Sequence, residues 1–196
     1  MATITTGKSR GGVRPPSRWV TTTGLLVAAG CAGFAAINVW FELTDRFEAG
    51  PHAADALALS VVNWYVVVVK LVGAAIALLA VTPPTRLAGP RQLGVLLWAA
   101  FATVAIYVLG STAQAIGMMT GLTPGADRLD AAAVGYVGGF LLATAGFGVL
   151  AGSYARRAGL GRLELLLGLA GAPVVLGSIL FALPAILRTN GLLSGS

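Results

Sequence analysis

The sequence predicts an all-α, polytopic membrane protein: a five-helix transmembrane bundle with its N-terminus in and its C-terminus out. Three observations predict it. Over 196 residues, 57% are hydrophobic and only 10% charged, with a mean hydropathy of +0.85, whereas soluble domains carry roughly 25% charged residues. Lipid is therefore the expected solvent for most of the chain. The apolar residues fall into five runs, about 19–41, 57–81, 93–119, 132–154 and 163–187, each reaching the ~20 residues that a spanning helix needs. Finally, the charges between runs alternate in sign. Lys8, Arg10, Arg14 and Arg18 precede the first run, Arg86 and Arg91 follow the second, and Arg156, Arg157 and Arg162 follow the fourth. Glu42, Asp45, Glu48 and Asp55 outweigh Arg46 after the first run, as Asp127 and Asp130 outweigh Arg128 after the third. The positive-inside rule then places the N-terminus in the cytoplasm and the acids outside, in a multi-pass protein of the plasma membrane.

Residues 1–18 are polar, basic and rich in Gly and Pro, so they read as a disordered cytoplasmic tail. Residues 19–188 form the five-span domain and 189–196 a short tail. In the first run, Ala28-Ala29-Gly30-Cys31 faintly resembles a lipoprotein processing site. The run nonetheless continues to Phe41, as a retained helix would, and position 28 lacks the larger aliphatic residue of such sites. Cys31 is the single cysteine, which leaves no internal disulfide and suggests a small packing residue. The connections are short, so sequential helices should be antiparallel neighbours. Pro83, Pro84 and Pro90 stiffen the second connection, Pro124 and Gly125 punctuate the third, and Pro173 with Pro184 should kink the fifth span. Gly135-x-x-x-Gly139 and Gly148-x-x-x-Gly152 mark the fourth helix as central to the packing. There is no internal repeat of the kind that inverted-repeat transporters show.

A formal net charge of +6 would suggest nucleic acid in a soluble protein. Here the basic residues sit in connections, where topology explains them, so the expected partner is the bilayer and not nucleic acid. An oligomer is left open. The chain has no phosphate-cradling glycine loop with lysine and no paired histidines; its single histidine, His52, lies in an outer connection and reads as a surface residue. Axial haem ligands are lacking too. No metal and no cofactor is expected.

Polar residues inside apolar runs are costly unless they meet a partner, a cavity or water. Thr103, Tyr107, Ser111 and Gln114 share one face of the third span, and Ser60, Asn63 and Lys70 one face of the second. Lys70 lies near the middle of its run, at a cost of about 2.5–3.5 kcal/mol, either snorkelling or meeting an acceptor, with Tyr107 one candidate partner. Asn38, Glu42 and Asp45 line the end of the first span, with Trp40, Trp64 and Tyr65 at similar depth. The outer-half residues Asn38, Glu42, Asp45, Ser60, Asn63, Ser111, Gln114, Asp127 and Asp130 are expected to line one outward-opening pocket. Against this stands a plainer reading, in which the aspartates solvate loops and the amides hold helices together.

In size, helix count and the Asn38-x-Trp40-x-Glu42 ending of its first span, the chain resembles the small membrane-bound terpene cyclases of actinobacterial meroterpenoid and indole sesquiterpenoid pathways. The resemblance is one of layout over most of the chain. It implies cyclisation of a lipophilic prenylated substrate, begun by protonating an alkene or epoxide without a metal. Glu42 is the candidate acid, with Asp45 or Asp130 as second choices. Asn38, Trp40, Asn63, Trp64, Tyr65, Tyr107, Ser111 and Gln114 are candidate substrate contacts, the aromatics together with Phe101 serving to stabilise a travelling cation. Two other classes remain beside it: a small-solute transporter or membrane subunit of a larger complex without catalysis of its own, and a purely structural membrane protein.

Overall fold

The computed structural model describes residues 13–48, 53–82, 88–124 and 131–191, and their regular structure is helical throughout. Lys8, Arg10, His52, Pro83, Pro84, Arg86, Gly125, Asp127, Arg128 and Asp130 lie outside the described residues. Helix α1 (Arg18–Leu43) opens where the Ser17 hydroxyl accepts from the Val20 N–H, satisfying one of the donors that a first turn leaves unpaired. It stops before Asp45, whose φ of 49° is left-handed, a conformation an aspartate tolerates better than most residues. Asp45 thus sits in the turn after α1 and not on its face. A single 3-10 turn, Ala53–Asp55, leads into α2 (Ala56–Val81), and α3 (Pro90–Met119) begins on a proline whose missing N–H costs nothing there.

Helix α4 (Ala131–Ala158) runs past Tyr154 to carry Arg156 and Arg157 in its last turn. It closes on Gly159, at φ 62°, with the Leu160 N–H reaching back to the Ala155 carbonyl at 3.0 Å. This left-handed glycine cap turns the chain straight into α5 (Arg162–Gly177). The fifth apolar stretch then widens into a π-turn, Ser178–Ala182, before α6 (Leu183–Thr189). Pro184 explains the widening, since it has no N–H and its ring crowds the carbonyl four residues back. Pro173 sits inside α5 without interrupting it.

Among the described residues, five helical stretches are long and apolar enough to cross a membrane: Arg18–Leu43, Ala53–Val81, Pro90–Met119, Ala133–Ala158 and Arg162–Thr189. Their surface is correspondingly apolar, with Trp19, Leu26, Leu142 and Val174 all largely exposed. Helices α1 and α2 pack antiparallel, as do α3 and α4, and α4 also lies against α1. Helix α5 packs along α3 rather than α4 even though only residues 159–161 separate it from α4, so a short connection does not always make neighbours.

The main cluster of buried side chains lies toward one end. Val27 and Ala28 of α1, Ala74 to Val81 of α2, Leu93 and Leu97 of α3, and Phe147 to Tyr154 of α4 form a single cluster. Small residues permit the close approach: Gly146 of α4 receives Val27, Gly148 receives Phe101, and Gly168 of α5 receives Trp98. Of the two glycine pairs legible in the sequence, Gly139 and Gly148 each face an aromatic ring. Gly135 meets nothing, and Gly152 meets only Arg156 of its own helix. This well-packed half is the end where Arg14, Arg18, Arg91, Arg157 and Arg162 gather. The opposite half, with Glu42, Asp45 and Glu48, buries fewer apolar side chains, among them Ala58 and Val108, and holds the polar ladder and the larger cavities.

Candidate functional site

Positions equidistant from the α1–α2 connection meet across the antiparallel pair, and this register joins the polar residues of both helices. Nearest the connection, the Glu42 carboxylate accepts from Ser60 Oγ at 2.7 Å on one oxygen and from Asn63 Nδ2 at 2.6 Å on the other. One turn deeper, Asn63 Nδ2 also donates to the Asn38 carbonyl at 2.9 Å, and Asn38 Nδ2 donates to Asn63 Oδ1. Deeper again, the Lys70 ammonium donates to Asn38 Oδ1 and, at 3.4 Å, to the Phe34 carbonyl, and it lies 5.5 Å from the Phe34 ring centroid. Lys70 therefore pairs with Asn38 and Phe34 rather than with Tyr107.

The two amides point the same way along this ladder. Each accepts from the Lys70 side and donates toward Glu42, so their dipoles run head to tail between an ammonium and a carboxylate. Lys70 and Glu42 thus stand at the two ends of a chain of hydrogen bonds through the two amide side chains, without touching. Asn63, buried to 6% exposure, is the hub, with both of its amide atoms engaged, and an unpaired amide at that depth would cost several kcal/mol.

Glu42 and Ser60 also face outward from the ladder, into a cavity of about 490 Å³ that Asp45, Glu48, Phe41 and Phe47 complete. Of the residues expected in one pocket, Glu42, Asp45 and Ser60 line this cavity, whereas Asn38 and Asn63 are joined to Glu42 through the ladder without lining it. The remainder of the expected pocket lies elsewhere. Ser111 and Gln114 line a separate cavity of about 750 Å³ between α3 and α4, among Ile116, Met119, Val134 and Leu141. Trp40 and Trp64 are 62% and 48% exposed on the outer surface of the pair. The Tyr65 hydroxyl pairs with Ser178 Oγ at 2.7 Å, tying α2 to the π-turn, and Thr103 bonds the Ala99 carbonyl of its own helix. Phe101 packs edge-on against Trp98. Asp130 is outside the described residues. One pocket lined by all the polar faces is therefore corrected to two: helical spacing aims a face inward but does not say which neighbour it meets.

Beside the larger cavity stands an aromatic cluster that helical spacing did not reveal. Phe34 meets Tyr136 edge-on at 5.9 Å and Phe140 at 5.5 Å, while Tyr107 packs on Phe140 at 4.8 Å. The Phe34 backbone carbonyl accepts from Lys70 while its ring packs on α4, and Tyr136 also lines the larger cavity. Ladder and groove are joined through these rings. The signal was present in the sequence, since Phe34 stands one turn from Asn38 and Tyr136 one turn from Phe140, but only the α1–α4 contact brings them together.

No protein-family model, curated protein or solved structure matches the chain. Its class rests on its own geometry: among the described residues, an all-helical bundle with five helices long and apolar enough to cross a membrane, and a polar ladder from Lys70 to Glu42 between the first two.

Proposed function

We propose that this chain is a multi-pass protein of the plasma membrane, with a cytoplasmic N-terminus and an external C-terminus, that acts on a lipophilic prenylated molecule by proton transfer at Glu42, as a membrane-embedded terpene cyclase does. The alternation of basic and acidic ends supports the orientation. The observation that carries the chemistry is the position of Glu42. Its carboxyl group is fixed by Ser60 and Asn63 and opens into a cavity flanked by Phe41 and Phe47. These two rings, rather than Trp40 and Trp64, are the aromatic faces near the acid. Both Glu42 oxygens accept hydrogen bonds, so to serve as the acid Glu42 must first take up a proton on the oxygen that faces Ser60, with the Ser60 hydroxyl turned aside. That proton passes to the alkene or epoxide and leaves the carboxylate that Asn63 holds. The proton lost by the final cation is taken up by Asp45, on the same wall, and returned to Glu42, which closes the cycle.

A second reading, a small-solute transporter or membrane subunit, is favoured by one observation: the Phe41 ring is already covered by Arg46, whose guanidinium carbon lies 4.8 Å from its centroid. That leaves little free aromatic surface for a travelling carbocation. One experiment separates the readings. Membranes containing the chain are supplied with farnesylated or epoxidised aromatic substrates, and products are compared with those of Glu42→Gln. Loss of general acid catalysis predicts a rate lower by at least about 100-fold. Undiminished cyclisation in the variant removes Glu42 from the mechanism, and a folded wild-type protein that turns over no prenylated substrate leaves the second reading standing.

A further inference from the structure

At the opposite end of the bundle, α2, α3, α4 and the segment before α1 enclose a cavity of about 350 Å³ in which Arg14 and Arg157 stand over a floor of Leu79, Val81 and Leu93. No carboxylate lines it among the described residues. Arg157 is held rigidly: Nη2 donates to the Ala80 carbonyl at 3.0 Å, Nη1 donates to the Arg14 carbonyl at 3.1 Å, and the guanidinium lies 5.3 Å from the Tyr154 ring centroid. Its Nε is buried without a partner, and among the described residues two of the five N–H groups that a guanidinium carries are engaged. The ion pair at this end joins Arg91 to Glu164 and does not reach Arg157. Backbone carbonyls satisfy donors but supply no countercharge, so a fixed cation faces the cavity uncompensated.

We propose that this cavity binds a phosphate-bearing anion, and that an anionic phospholipid supplies it, its phosphodiester charge uncancelled where the choline of a zwitterionic lipid cancels it. A planar guanidinium fork matches phosphate oxygens. The floor is apolar and the mouth cationic, an order that suits a headgroup whose acyl chains continue along the bundle, and basic pockets between spanning helices are where acidic headgroups are held. The site is separate from the Glu42 cavity and does not depend on the proton-transfer reading.

The test uses the full chain, purified in detergent and titrated with phosphatidylglycerol or phosphatidylcholine, with binding read by native mass spectrometry. Each arginine near a lipid phosphate contributes about 1 kcal/mol, so Arg14→Gln and Arg157→Gln should each weaken phosphatidylglycerol binding about fivefold and together about 25-fold. Phosphatidylcholine binding should change little. Inorganic phosphate added in competition identifies the source: undisturbed lipid binding assigns the site to the lipid, and displacement assigns it to free phosphate. Arg14 lies on an exposed segment, so Arg14→Gln decides the matter even if Arg157→Gln fails to fold. Equal affinity for the two lipids, or a double variant that binds phosphatidylglycerol like the wild type, overturns the proposal.

Discussion

Replacing Asn63 with leucine should destabilise the folded protein by about 2–5 kcal/mol. Asn63 makes three hydrogen bonds across the helix pair, to the Asn38 side chain, the Asn38 carbonyl and Glu42, and interhelical bonds in membranes contribute ~0.6–1.7 kcal/mol each. The leucine fits a buried position and adds apolar surface, so the loss measures the ladder rather than packing. With Asn63 gone, the Asn38 amide has no acceptor and the Glu42 carboxylate keeps Ser60 as its side-chain donor. Ser60→Ala, which removes one bond, should cost only about 0.6 kcal/mol. The measurement is reversible unfolding of the purified protein in mixed micelles or bicelles. An Asn63→Leu variant within 0.5 kcal/mol of the wild type would show that α1 and α2 hold together without the ladder.

Lys70→Met supplies the contrast. Setting a lysine at this depth costs about 2.5–3.5 kcal/mol, and methionine removes that cost together with the hydrogen bonds to Asn38 and Phe34. The variant should therefore fall within about 1 kcal/mol of the wild type, because replacing a buried charge with an apolar residue of similar length is often neutral. A cost near that of Asn63→Leu would mean that the ladder needs its cation as much as its amides.

What the sequence made legible, and what it did not, follows from the range of the interactions involved. Helix existence is a local matter of apolar length, and each span was visible because lipid demands an unbroken apolar run. The faces carrying Asn38 with Glu42, and Asn63 with Lys70, were visible from helical spacing alone. Their pairing needed one further step, the antiparallel register set by a short connection, and that step also makes Lys70 meet Asn38. Tyr107, Ser111 and Gln114 were misplaced because their partners belong to α4, which no short connection to α1 or α2 constrains. Trp40 and Trp64 share the depth of Glu42 but lie on other sides of their helices, and depth is not direction. The Arg157 cavity went unread because the basic residues already had a sufficient explanation in topology.

The second large effect concerns the attachment of α5, which is mostly exposed and meets the rest of the bundle chiefly along α3. That contact depends on Gly168: a Cβ built there would stand 2.8 Å from the Val95 carbonyl oxygen and closer still to the Trp98 Cβ. Backbone cannot yield as a flexible side chain does, so Gly168→Ala must push the helices apart. The expected loss is about 3 kcal/mol, the upper end of the ~1–3 kcal/mol for overpacking, although alanine is intrinsically the better helix former. Gly135→Ala isolates that opposing term. Nothing lies within 4 Å of a Cβ at position 135, so this variant should gain the ~0.5–1 kcal/mol that glycine forfeits inside a helix. Because the substitution is the same, the sign of the difference reports the α3–α5 approach alone. Equal effects at the two positions would show that α5 does not pack against α3 through Gly168, and the tie between Tyr65 and the π-turn would then have to hold the fifth span in place.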